Sequence, residues 1–376
     1  MRKLDPRERF QQVFPAWMQP AITWLSGCAL SGQSPLMPCT PASKIIVAYL
    51  LVLLGGGLAS SAACALQLQV EPGAIAQLMA GWLLLVGGAR RCQVELSHYA
   101  IHNRVFNNAM LNRGMVELHS VVFVIQDYAG YYRDHIKLGH HRADVFCGPN
   151  DPDWQFLKTL GLKAGMSPAQ CWQWLALTCV SPAFHLRFLM ARVRANLCSD
   201  NRYRRLMSVC WLTVVVTGVS VSHAWVAFLL AWLLPLTVLY HISALLQFTS
   251  EHKWNSPRLA GESARTRHIR LSHARYSMRP LPERTDYPSG TRAVLALLGW
   301  AVLTIAVDVP IRLFCLVGDM PVHHMHHGNA AEKEWALAVY LDAAPVDGPT
   351  SPVYWGLFAA LEGVFEHLSG LAPDLE

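Results

Sequence analysis

Histidines crowd one short stretch. His323, His324, His326 and His327 fall within five consecutive residues, four of the seventeen histidines in a chain of 376. Imidazole is the commonest nitrogen ligand of catalytic first-row metals, so such crowding points to metal binding. On a helix His326 and His327 each lie within roughly 60° of His323, one to either side, whereas His324 is turned about 100° from His323 and reads as an outer neighbour.

Two upstream groups carry the same chemistry. His98 and His102, at i and i+4, share a helical face and can reach one metal or two adjacent ones; alone, such a pair is more often polar packing. His135, His140 and His141 fit a regular helix less comfortably, because His140 sits roughly 140° round from His135. Both face one site only where the helix is interrupted or bulged, and Gly139 offers a place. His252 follows a long apolar run, at the depth of His98. Imidazoles bunched in this way would be costly polar burial without a metal. They are too many for a single four-coordinate zinc, and a nitrogen-rich two-metal site suits iron.

The elements that must position these residues are apolar. The chain is 53% hydrophobic and 15% charged, against roughly 25% charged in soluble domains. Its thirteen tryptophans suit interfacial anchoring. The net charge of +6 comes from arginines that flank apolar runs, which membrane topology explains and which argues against nucleic-acid binding. Ten cysteines without a CxxC pair indicate neither a disulfide framework nor a zinc knuckle.

Four spans are expected, at about 45–66, 72–89, 206–222 and 225–248. Residues 206–250 contain no Asp, Glu, Lys or Arg, a length that suits a tight hairpin, and Pro235 should kink its second helix. Arg2, Lys3, Arg7, Arg9 and Lys44 precede the first span, Arg90 and Arg91 close the second, and Arg202, Arg204 and Arg205 precede the third. The positive-inside rule puts both ends of each hairpin in the cytosol. Two weaker stretches, Ser167 to Phe184 and Ala293 to Val307, read as helices lying in the interface. If the second crossed, the His323 cluster would lie across the membrane from the others. The expected fold is therefore an all-α membrane protein with four transmembrane helices as two hairpins and a cytosolic helical cap carrying the histidines. Residues 1–44 read as a cytosolic or interfacial arm, 45–330 as the membrane domain and 331–376 as a cytosolic tail. Both termini are then cytosolic in a multi-pass integral membrane protein, of the inner membrane if the source is bacterial.

At these residues the chain resembles the membrane fatty acid desaturase and hydroxylase superfamily, whose three histidine boxes read HX(3–4)H, HX(2–3)HH and (H/Q)X(2–3)HH. HYAIH supplies the first (His98, His102) and HHMHH the third (His323, His326, His327). The second (His135, His140, His141) is one residue longer than the pattern. Asp151-Pro152-Asp153 and Glu251-His252 also resemble family segments, the latter carrying an extra ligand histidine. Phe248 stands where some acyl-CoA desaturases place an Asn, and no His-Pro-Gly-Gly haem motif occurs.

The resemblance, covering about residues 45–330, implies a non-haem di-iron centre of two iron ions on nine histidines. It implies O2 as co-substrate, a lipid or acyl substrate in the membrane, and a separate electron donor of the ferredoxin, rubredoxin or cytochrome b5 type. The implied reaction introduces a double bond into an acyl chain in a dry apolar groove. Hydroxylation of an apolar substrate is the nearest alternative, ahead of a zinc-dependent lipid hydrolase or a metal transporter. Among the remaining residues, His241 reads as packing between helices and His119 as a satisfied core or surface histidine. His268 and His273 read as solvated or headgroup-facing. Arg187, Arg192, Arg194, Arg202, Arg204 and Arg205 read as a headgroup-facing face. Asp151 and Asp153 orient imidazoles or cap a turn.

Overall fold

The computed structural model describes residues 5–139, 142–283, 290–343 and 350–373. It is about 70% helical with almost no strand. The arm begins with α1 (Pro6–Val13), started by Asp5, whose side chain accepts from Arg7 N at 2.7 Å, and continues to α2 (Gln19–Ser26). Arg7 is buried. Its guanidinium donates to Cys28 O at 2.9 Å, Gln19 Oε1 at 2.7 Å and Thr23 Oγ1 at 2.9 Å, which ties the arm together.

The first hairpin is α3 (Pro41–Leu68) and α4 (Pro72–Ile101). Thr40 and Ser43 form a capping box before α3, with Pro41 at the first helical position. Small residues let the two backbones touch. A Cβ on Gly55 would lie 2.2 Å from Leu85 N, and one on Gly81 would lie 2.6 Å from Ala59 N. This is the close-approach packing that membrane helices use where the hydrophobic effect between them is absent. Helix α4 runs well past the expected residue 89, through a widened π-type turn at Cys92–Ser97, and carries His98 near its end.

Next come α5 (Ala109–Phe123) and α6 (Pro152–Thr159), then α7 (Pro168–Val180) and α8 (Pro182–Leu197), two helices bent by 64° at Ser181. The second hairpin is α9 (Arg202–Val221) and α10 (Trp225–Glu251). Pro235 opens the second of two π-wound stretches, Leu229–Leu233 and Pro235–Leu239, which absorb the disturbance expected there. Trp82 Nε1 donates to Leu230 O at 2.7 Å and so links the two hairpins.

After α11 (Ala264–Leu271) and strand β1 (Ala274–Tyr276) comes α12 (Gly290–Phe314), where a helix lying in the interface was expected. Among the described residues five helices, α12 among them, are thus long and apolar enough to cross a membrane, or six counting α7 with α8 as one broken span. The sequence reading had four. Yet α12 is pinned from Trp300 onward. Trp300 packs on Phe10 and Phe14 at centroid distances of 6.1 and 5.8 Å and donates to Arg279 O at 3.2 Å. Asp308 pairs with Arg279 at 2.9 Å, and Arg312 donates to Trp24 O at 2.7 Å.

The chain continues through α13 (His324–Gly328) to strand β2 (Val353–Trp355) and α14 (Leu357–Ser369). The segment read as a tail packs into the cap. Strand β2 pairs in parallel with β1, Ala274 opposite Val353. Leu361, Val364 and Phe365 of α14 are fully buried in a core with Trp154, Trp254 and Cys315.

Candidate metal centre

Each histidine reaches the centre from a different kind of support. His98 rides on α4, directly after the π-type turn that rotates the end of the helix. His102 caps that helix, and the two rings stand 5.1 Å apart. His135 lies within a second π-type turn, Arg133–Lys137, so the helical irregularity needed around this residue is present, earlier than Gly139. Gly139 has its own reason: a Cβ there would meet Asp134 O at 2.4 Å. His140 and His141 lie outside the described residues.

His252 ends α10 in extended conformation and is held against the segment after α11. Lys253 N donates to Leu271 O at 2.9 Å and His273 N to Glu251 O at 3.0 Å. The third cluster follows Gly318, whose φ of 55° and lack of a Cβ both matter, since a Cβ would lie 2.4 Å from the Glu95 carboxyl. Asp319 accepts from Tyr99 OH at 2.6 Å. Burial, and then the nearby Glu95, push the Asp319 carboxyl up to about 6.

These supports bring two donor groups together. Ligand atoms of His98, His102, His135 and His326 all lie within 4.8 Å of one another, and so do those of Glu251, His252 and His327. His323 stands between the groups. Its ring is 4.9 Å from His98 and 4.9 Å from His327, and its Nε2 is 3.2 Å from Glu251 Oε1. The expected common face of His323, His326 and His327 is therefore divided. His323 precedes the short α13 rather than riding on it, and the adjacent His326 and His327 turn to different groups. His324 points away, with Nε2 2.9 Å from Asp342 Oδ1.

The donor set fits metal ions. His98 Nε2 and His135 Nε2 are 3.0 Å apart, the spacing of two imidazole nitrogens at right angles on one ion with bonds of about 2.1 Å. Such sites also need partners that orient the ligands. Gln247 Nε2 donates to Glu251 Oε2 at 2.6 Å, and the buried Arg275 places Nη2 3.7 Å from Glu251 Oε1. Arg275 also donates to Gln247 O at 2.9 Å and Met320 O at 3.2 Å, joining α10 to the third cluster.

Glu251 is the group that counting histidines passed over. The available signal was a carboxylate at the very end of an uncharged span, next to His252. His268 and His273 need correction, since both are buried. His268 stacks on Phe146 at 4.4 Å, and Phe146 in turn lies 5.1 Å from the ring of His327. His273 bonds through Nδ1 to Ser250 O at 3.1 Å, and burial lowers its pKa to about 3.

Arg192 and Arg204 also turn inward rather than to headgroups. Arg192 donates to the carbonyls of Phe123, Val124 and Leu236 and bonds His241 Nε2 at 2.8 Å. Arg204 pairs with Glu117 and donates to Asn196 Oδ1 at 2.9 Å. His241 and His119 are packing residues. His119 lies between Ser97 Oγ and Tyr49 OH, each at 2.9 Å. Asp151 is a cap, accepting from Cys147 N at 2.7 Å and Asp153 N at 2.9 Å.

A cavity of about 90 Å³ touches His98, His135, Glu251 and His323. A larger one, about 520 Å³, lies against α6 and α8, with Phe156, Leu160, Phe184, Phe188 and Tyr240 in its wall. The two share Gln93, Gln126, Asp134, Asp153 and Phe248, so they adjoin. The larger volume falls in the small-molecule range of about 300–1,000 Å³. Residues 76–285, more than half of the chain, match the family model described as fatty acid desaturase. No curated protein and no solved structure matches.

Proposed function

Since the chain belongs to the fatty acid desaturase family, we propose that it is an O2-dependent di-iron oxidoreductase that introduces a double bond into the acyl chain of a membrane lipid. The observation that carries this reading is the meeting of three distant histidine stretches as two neighbouring donor groups beside one cavity. His98, His102, His135 and His326 would hold one iron and Glu251, His252 and His327 the other, with His323 between them. His140 and His141 complete the set. Bound iron supplies O2 activation and hydrogen abstraction from an unactivated C–H bond.

The protein's part is positioning. Gln247 and Arg275 hold the Glu251 carboxylate. Phe248 and Met320 line the inner cavity and limit water. The larger cavity lays out the chain so that one segment of it enters beside His98 and Glu251. The topology consistent with convergence has α12 along the interface, as its ties to Arg279 and Trp24 support. Electrons come from a separate ferredoxin, rubredoxin or cytochrome b5 type carrier. Hydroxylation is the second reading, favoured by the polar residues of the inner cavity (Gln93, Gln126, Asp134, Asp153 and Gln247) where a dry groove was expected.

Metal analysis and a lipid profile test the proposal. We expect two irons per purified chain, and new unsaturation in membranes from expressing cells compared with a His98→Ala control. New hydroxyl without new unsaturation selects the second reading. One zinc and no iron in active protein overturns both.

A further inference from the structure

The proposed reaction leaves one polar atom at the junction of the two cavities without a task. Gln93 lines both. Its Oε1 accepts from Arg90 Nη1 at 2.8 Å and from Tyr240 OH, and both of those residues are fully buried. Arginine only donates, so the atom it holds must be the amide oxygen. That fixes the amide's orientation and leaves Nε2, with its two hydrogens, facing away from Arg90. Nε2 has no partner among the described residues. Arg90 is itself held on the other side by Gln247, and its guanidinium lies 5.2 Å from the Tyr240 ring centroid, so the arrangement is stiff.

A second amide meets the same junction. Gln126 donates through Nε2 to Asp134 Oδ2 at 2.6 Å, and Asp134 also accepts from Arg133 Nε at 2.9 Å. This leaves the Gln126 oxygen as an acceptor on a residue that also lines both cavities. A plain hydrocarbon segment would strip water from both amides and return no hydrogen bond, which is unfavourable.

We propose that the substrate is an oxygenated lipid, one that carries a hydroxyl or carbonyl oxygen close to the reacting segment, and that Gln93 Nε2 donates to that oxygen. Gln93 is thereby a specificity-determining residue. The inference rests on the desaturase or hydroxylase reading and names its substrate class. A hydroxyl can also donate to the Gln126 oxygen, whereas a carbonyl uses Gln93 alone.

The test is binding to the iron-loaded, detergent-solubilised full chain, read by quenching of tryptophan fluorescence. Three probe series of equal chain length are compared: plain acyl lipids, hydroxyacyl lipids and ketoacyl lipids, the oxygen being moved along the chain. At least one oxygenated probe should bind about tenfold tighter than its plain counterpart, the worth of one good hydrogen bond. Gln93→Leu should remove that advantage for the keto probe and reduce it for the hydroxyl probe, which keeps the Gln126 oxygen. Gln93→Glu keeps an oxygen for Arg90 and Tyr240 but turns a second acceptor on the cavity. It should weaken the keto probe about tenfold while retaining the hydroxyl probe, a reversal that a purely structural role would not produce. Equal binding of plain and oxygenated probes at every position overturns the inference, as does a keto advantage that survives both substitutions or a hydroxyl advantage that Gln93→Leu leaves undiminished. An oxygen preference in a protein that neither holds iron nor oxidises lipid would overturn the functional reading alone. Oxidation of plain chains with no preference would overturn this inference alone.

Discussion

Two adjacent residues, His326 and His327, fall in different donor groups, and this is decided by the backbone rather than by ring chemistry. The helix that carries them is a single turn preceded by a 3₁₀ segment, Met320–Val322, so the angular arithmetic of a long helix does not apply. Substitution at either position should therefore deplete iron at one half first. We expect His326→Ala and His327→Ala each to lose at least half of the bound iron. His324→Ala should retain all of it, because that ring is engaged by Asp342. Metal analysis of the purified variants, normalised to folded protein, reads the difference. Full iron in His327→Ala would contradict the assignment. The positions of the histidines were legible in the sequence because their spacing against the apolar runs is itself the signal. Glu251 was not, since one carboxylate at the end of a span looks like an interfacial charge. The burial of His268 and His273 was also hidden, because an arginine-rich stretch suggests solvent until its arginines are seen to be partnered. Arg267 donates to Phe146 O at 2.8 Å and Ser256 O at 2.9 Å, and Arg270 Nε to Glu262 Oε1 at 2.6 Å.

Among the elements, the α3–α4 hairpin depends on glycine at defined contacts. Gly55 faces the backbone of Leu85 with no space for a side chain, so Gly55→Leu must push the helices apart. The expected cost is at least about 1–3 kcal/mol, the usual penalty for overpacking. Thermal unfolding in detergent should show it, with Gly57→Leu as the neutral comparison, since a Cβ at Gly57 meets nothing within 4 Å. Helix α12 is the element for which hydropathy and tertiary contacts disagree. Its length and composition permit a crossing, while Trp300, Asp308 and Arg312 bind it to the arm and cap. Single cysteines at Thr291 and Glu332, with the exposed Cys64, Cys198 and Cys210 replaced by Ser, separate the two cases. An impermeant thiol reagent should label both from the same side of a sealed vesicle. Labelling from opposite sides would mean that α12 crosses. Local sequence patterning could not decide this, because the contacts that hold α12 come from residues 10–24 and 279, distant in the chain.

The whole molecule closes on itself late in the chain. Residues 331–376 look detachable in sequence, being short and beyond the last histidine cluster. In the structure β2 and α14 complete the cap core, and His367 Nε2 lies 3.0 Å from both Trp254 O and Ser256 Oγ, two and four residues beyond His252. A chain ending at residue 343 would keep every candidate ligand histidine. It would nevertheless expose the faces of Trp154, Trp254 and Cys315 that α14 covers. We expect it to aggregate or be degraded, and any soluble fraction to hold little iron. A truncated protein with normal iron and normal melting would show that the C-terminal segment is dispensable. Leu361→Ala is the milder version, with an expected loss of about 2–5 kcal/mol for a buried leucine.

The β1–β2 pairing also sets a clock. Strand β1 lies 79 positions ahead of its partner, in the register Ala274 to Val353. During synthesis the last histidine cluster is made before β2 and before α14, whose His367 braces the segment after His252 through Trp254 and Ser256. For that interval the ribosome presents a chain with all its candidate ligand imidazoles and an open cap. Metal acquired then would meet ligands that are not yet fixed, and selection among competing ions would fall to the cell's supply rather than to the geometry of the site. If the centre holds the proposed ions, their delivery is best matched to the moment after α14 docks.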